Sequence, residues 1–71
     1  LVMESVRISA LLKQKDDVLW KASLRSKEEI DISKVAVMFN GGGHRNAAGC
    51  SLEGSMPDVK QKLLNALKDI L

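Results

Sequence analysis

The stretch Gly41-Gly42-Gly43-His44-Arg45-Asn46-Ala47-Ala48-Gly49 is the part of this chain that most needs a chemical explanation. Consecutive glycines are costly, because glycine loses the most backbone entropy on folding. A helix stop needs only one of them. Bare backbone lets N–H groups approach an anion closely, and successive amides can form an anion-binding concavity. His44 closes the run, and an imidazole can donate to a phosphate and change charge near physiological pH. Ala47, Ala48 and Gly49 are small enough to pack closely beneath it. Arg25 is the second candidate. It ends an alternating stretch on its polar side, with Ser26 and Lys27 after it. A guanidinium can offer a phosphate two parallel hydrogen bonds.

Other chemistries fit less well. The run lacks the Gly-Lys-Ser or Gly-Lys-Thr ending of a P-loop. A helix, not a strand, precedes it, which excludes a dinucleotide fingerprint. One His and one Cys are too few for a metal cluster, and the acids are scattered. Cys50 alone excludes an internal disulfide and reads as a small buried residue. A reduced, cytoplasmic location fits that usage. Trp20 shares a face with Val18, Ala22 and Leu24, so it reads as core and not as a base-stacking platform. The net charge of +2 is too small for a sequence-independent duplex binder but suits one anionic ligand. No apolar run is long enough to span a membrane, and no signal peptide is visible.

These residues need elements to position them. Seventy-one residues make one domain. Val6, Ile8, Ala10 and Leu12 alternate with Arg7, Ser9, Leu11 and Lys13, and Val18, Trp20, Ala22 and Leu24 with Leu19, Lys21, Ser23 and Arg25, so two half-buried strands are expected. Lys15-Asp16-Asp17 reads as a three-residue hairpin loop that puts Leu12 opposite Trp20. A helix follows, N-capped by Asp31, with Ile30 and Val35 as a staple and Ile32, Val35, Ala36 and Phe39 buried. Asn40 and Gly41 stop it, with glycine supplying the positive φ. After the glycine loop, Cys50 to Glu53 reads as a short third strand. Ser55 caps a last helix, with Pro57 in its first turn and Val59, Leu63, Ala66, Leu67 and Ile70 on its buried stripe. The expected fold is α+β: a three-stranded sheet in the order β-β-α-loop-β-α, covered by helices on one face.

Gly41 to Gly49 resembles the GGGHxxAAG motif of the DHH-associated domain, the C-terminal module of many DHH phosphoesterases. Ser23-Leu24-Arg25-Ser26 is similar to that family's arginine-serine segment. The spacing is most similar to the NrnA-type nanoRNase and phosphoadenosine-phosphate phosphatase group. The likeness covers nearly the whole chain in element order and is sharp over these two segments. It implies that residues 1–71 are a piece of a longer two-domain enzyme. Its N-terminal DHH domain would hold divalent metal, usually manganese, and the 71 residues alone would be inactive. The substrate would be a short oligonucleotide or 3′-phosphoadenosine 5′-phosphate. Gly42, Gly43 and His44 would approach a substrate phosphate, with Gly41 and Asn46 in the same motif. Arg25, with Ser26, would bind another phosphate or hold the nucleotide. A RecJ-type exonuclease, a cyclic-dinucleotide phosphodiesterase, a binding module without hydrolysis and a sheet used mainly for interdomain or dimer contact remain as alternatives.

Overall fold

Alternation along the chain resolves into one antiparallel sheet of five strands backed by two helices. The computed structural model describes residues 2–4 and 7–70, with side chains from residue 7 onward. The elements are β1 (Val2–Glu4), β2 (Ile8–Gln14), β3 (Leu19–Ser26), α1 (Ser33–Met38), β4 (Gly42–His44), β5 (Ala47–Glu53) and α2 (Met56–Ile70). Spatially the strands run β1-β2-β3-β5-β4. The α+β class and the one-sided helical cover are as expected. The sheet has five strands where three were expected: β1 adds an outer edge, and the supposed glycine loop is itself a hairpin of β4 and β5. Val6 lies outside the described residues.

One face of the sheet is the core. Ile8, Ala10 and Leu12 of β2, Trp20, Ala22 and Leu24 of β3, and Ala48, Cys50 and Leu52 of β5 are buried in one cluster with both helical segments. The largest fully enclosed side chains are Leu12, Leu24, Ile32, Leu63, Val35 and Val59. At about 1.5–3 kcal/mol each they outweigh any single polar contact. Trp20 is core, as expected, although its indole N–H has no acceptor among the described residues. Burial raises the Cys50 thiol away from its reactive thiolate, as befits a packing residue.

The first hairpin corrects the expected register by two residues. Gln14, not Leu12, stands opposite Trp20, and Leu12 faces Ala22. The Asp16 carboxylate accepts from the N–H groups of both Val18 and Leu19, at 2.9 Å each. This Asx turn moves the three-residue loop one position along the chain, to residues 16–18, closed by Lys15 N–H donating to Leu19 C=O (2.8 Å), and leaves Val18 60% exposed, outside the core. The loop remains odd in length, so the inward and outward faces of both strands are unchanged.

The first helix also starts later than expected. The Asp31 carboxylate accepts from the N–H and hydroxyl of Ser33, forming a turn before the helix, and the N-cap position is Ile32. The Ser33 hydroxyl is the main cause that holds Asp31 below the usual carboxylate range. At the other end, the positive φ belongs to Asn40, at 60°, and not to Gly41. Gly41 N–H donates to Ala36 C=O (2.8 Å) and Asn40 N–H to Val37 C=O (3.1 Å), the two bonds of a Schellman stop. In the second helix, Ser55 Oγ accepts from Asp58 N–H (3.5 Å), and Val59, Leu63, Ala66 and Leu67 are buried as expected.

The stop is testable. A left-handed conformation costs ordinary L-residues about 1–2 kcal/mol, and asparagine is tolerated there. Asn40→Ala is expected to lower unfolding free energy by about 1 kcal/mol, and Asn40→Gly to restore it, in urea denaturation.

Candidate functional site

Among the described residues nothing covers the face of the sheet away from the helices, and its register brings Arg25 and His44 into one row. Arg25 of β3 pairs with Ala47 of β5, and Ala47 pairs with His44 of β4. Directly paired residues share a face. Arg25 and His44 therefore stand on the same side, both exposed, across the small side chain of Ala47. Two strand spacings separate their backbones by about 9–10 Å. Ser9 and Glu4 continue the row toward the opposite edge. The adjacent row is Leu11, Ser23, Gly49 and Gly42. Its Gly49–Gly42 pair is bare backbone beside Ala47.

Backbone bonds fix which amides are available. Gly54 N–H donates to Val18 C=O (2.8 Å), and Ser26 N–H donates to Asn46 C=O (3.1 Å), one at each end of the β3–β5 ladder. Bonded pairs alternate in an antiparallel ladder. Even-numbered β5 residues thus bond to β3, while Ala47 and Gly49 turn their N–H and C=O groups toward β4. The amides of Gly42 and His44 are turned into the hairpin to meet them. Only Gly43 presents its amide to the outer edge of the sheet. The concavity of successive amides expected from the glycine run does not form. What forms is a flat platform with Arg25 and His44 at its sides.

The hairpin tip is anchored by side chains. Arg45 and Asn46 join β4 to β5, and neither takes positive φ. The Asn46 carboxamide N–H₂ donates to Lys27 C=O (2.6 Å), Ile30 C=O (3.1 Å) and Ser26 Oγ (3.1 Å). Ser26 Oγ–H donates to Ile30 C=O (2.7 Å). Ile32 N–H donates to Arg45 C=O (2.7 Å), and Arg45 Nε–H to Glu28 C=O (2.9 Å). The donors of Ser26 and Asn46 are thus engaged with backbone, and both residues position the site. Arg25 has one internal side-chain bond, to the Leu24 carbonyl (3.2 Å).

A family model for the DHHA1 domain matches residues 2–71. The chain belongs to the DHHA1 domain family. This is the DHH-associated domain, a domain of DHH-family phosphoesterases.

The glycines of this DHHA1 domain fall into two classes. A Cβ on Gly41 would lie 2.1 Å from the Gly49 carbonyl oxygen, and one on Gly43 would lie 2.6 Å from Ala48 Cα. Gly43 also has a φ of +148°. Packing and backbone conformation account for both. A Cβ on Gly42 would meet nothing within 4 Å, and one on Gly49 only the Ala22 carbonyl oxygen at 3.5 Å. The fold itself does not require glycine at these two positions, and they are the pair on the uncovered face. Ser23 and Ala47 complete the platform, although the sequence offers Ala47 only as a small packing residue and Ser23 only as part of the arginine-serine segment, neither as a site residue. Alternation had put Ser23 on the face of Arg25, but nothing local showed that β5 would bring Ala47 between Arg25 and His44.

Among the described residues, no three His, Cys, Asp or Glu side chains lie together as a metal site would require. No helix among the described residues is long and apolar enough to cross a membrane.

Two folding predictions separate the roles. Gly43→Ala is expected to lower the melting temperature, while Gly42→Ala leaves it nearly unchanged, in parallel thermal scans. Asn46→Ala removes the side-chain donor at the hairpin tip, while Lys27 C=O keeps its bond from Ile30 N–H and Ile30 C=O its bond from Ser26 Oγ–H, and it is expected to cost about 1 kcal/mol in denaturant titration.

Proposed function

We propose that the uncovered face binds a phosphate of a nucleotide or short oligonucleotide, as the substrate-holding part of a DHH-family phosphoesterase. The observation that carries this reading is the single register row Arg25–Ala47–His44, set beside the bare Gly49–Gly42 pair. Arg25 supplies a planar fork for two phosphate oxygens. His44 supplies a ring donor from the opposite side. Ala47 and the two glycines keep the floor low, so a phosphate can settle between Arg25 and His44 without a side chain in the way. Gly42 is glycine for the ligand's sake, since nothing inside the fold occupies the space above it.

In hydrolysis the role is to orient the substrate and offset its charge, which contributes through positioning and electrostatics. The described residues do not make a metal site. Metal-dependent chemistry, with manganese as the family resemblance implies, belongs on this reading to a DHH domain packed against this face. Short oligonucleotides and 3′-phosphoadenosine 5′-phosphate, the substrates of the NrnA-type group, have the phosphates this row would hold.

The test is direct binding. Adenosine 5′-monophosphate titrated into the isotope-labelled chain is expected to shift the backbone amides of Arg25, Gly42, His44 and Ala47. Arg25→Lys keeps the charge but loses the fork, and is expected to weaken binding by about 1–2 kcal/mol without unfolding the chain. His44→Gln is expected to weaken it as well. Binding equal to that of the unmodified chain in both folded variants would overturn the reading.

A further inference from the structure

A second cationic row on the same face is left unused by a single phosphate. Lys13 of β2 stands directly opposite Lys21 of β3, and Ser51 of β5 completes the row. Like charges directly opposite in an antiparallel pair are destabilising. Among the described residues neither lysine has an ion pair or a side-chain hydrogen bond. Glu53 lies further along the face, opposite Leu19, and forms no ion pair with Lys21. The fold therefore carries two exposed ammonium groups side by side, and among the described residues no carboxylate pairs with either.

We propose that the Lys13–Lys21 row is a second phosphate subsite, so that this face takes a chain of linked nucleotides laid along β3. This rests on the reading of the Arg25–His44 row given above. Arg25 and Lys21 are four residues apart on one strand, about 13 Å along it. That is too far for one phosphate to bridge, and it suits anions spaced along a short oligonucleotide. Between the two rows lies the strip Leu11–Ser23–Gly49–Gly42. Its glycine end is flat, and Leu11, 49% exposed, offers apolar surface for a sugar or base. No aromatic side chain is exposed among the described residues, since Trp20 is buried and Phe39 is partly so. Recognition is then by phosphate and by length, with little preference among bases.

The experiment compares two ligands on the 71-residue chain: adenosine 5′-monophosphate and 5′-phosphorylated triadenylate. The trinucleotide is expected to bind more tightly. Lys13→Gln and Lys21→Gln are each expected to lower that gain about two- to fivefold, the range of one exposed charge contact. In the double variant the slope of log affinity against log salt is expected to flatten by about 1.4. Melting temperature is not expected to fall, because a repulsive pair has been removed. Absence of any length-dependent gain, or a full gain in the double variant, would overturn the second subsite. An equal gain for an acidic peptide over single glutamate, lost in the same variants, would overturn it in favour of an acidic protein partner. His44→Gln keeps the two questions apart: if it changes neither affinity, the first row fails, whatever the lysines do.

Discussion

The Asn46 carboxamide holds the site together. Its two hydrogens reach three acceptors on the Ser26–Ile30 segment, so one is shared. The hairpin it terminates has a two-residue connection, and such connections are usually stabilised by positive φ at their central residues. Arg45 and Asn46 lack that conformation. Their turn is instead stabilised by contacts outside the hairpin, through Asn46, the Arg45 carbonyl and the Arg45 guanidinium. At about 0.5–1.5 kcal/mol per bond, the cluster matters more than any one member. It also acts at a distance of two residues: once the turn is docked, β4 is in place, and His44 has one position on the uncovered face.

The same constraint explains why the glycines divide as they do. β4 is short, lies at the edge of the sheet and is squeezed between the α1 stop and β5. Gly41 passes so close to the Gly49 carbonyl that no side chain fits, and Gly43 faces Ala48 on the covered side. These two glycines permit the hairpin. Gly42 and Gly49 face the other way and are free of such pressure. A glycine that costs backbone entropy without relieving a clash needs a reason outside the chain. On the proposed reading, a ligand seated on the platform supplies one.

Much of the fold could be read from local pattern, and the failures have local causes too. Alternation identified the buried faces of β2 and β3 because a parity error would have exposed Leu12 and Leu24. It could not fix the register, since the Asx turn at Asp16 moves the three-residue loop one position along the chain, which shifts the pairing by two without changing parity. β4 was invisible because glycines have no side chains to alternate. The same absence made Gly41 look like the natural owner of the positive φ, which Asn40 takes. Arg25 and His44 could each be suspected from chemistry. Their shared row could not, because β5 enters the sheet between β3 and β4, and strand order is not written in any one segment.

The two walls of the platform differ in how firmly they are held. Arg25 belongs to β3, which is paired on both sides over nearly its whole length. Its backbone can shift only if the sheet does. His44 belongs to a three-residue edge strand paired on one side. Its place depends on the docked turn beside it and on the close passage of Gly41 before it. Stiffness at one wall and dependence at the other follow from topology alone. Damage to Asn46 should therefore move His44 while leaving Arg25 in place, so that loss of ligand affinity and loss of stability arise from the same broken contacts. In Gly42, by contrast, the two effects are separable, because nothing in the fold touches the space a side chain would fill. A side chain at that position therefore probes the proposed ligand surface without disturbing the fold.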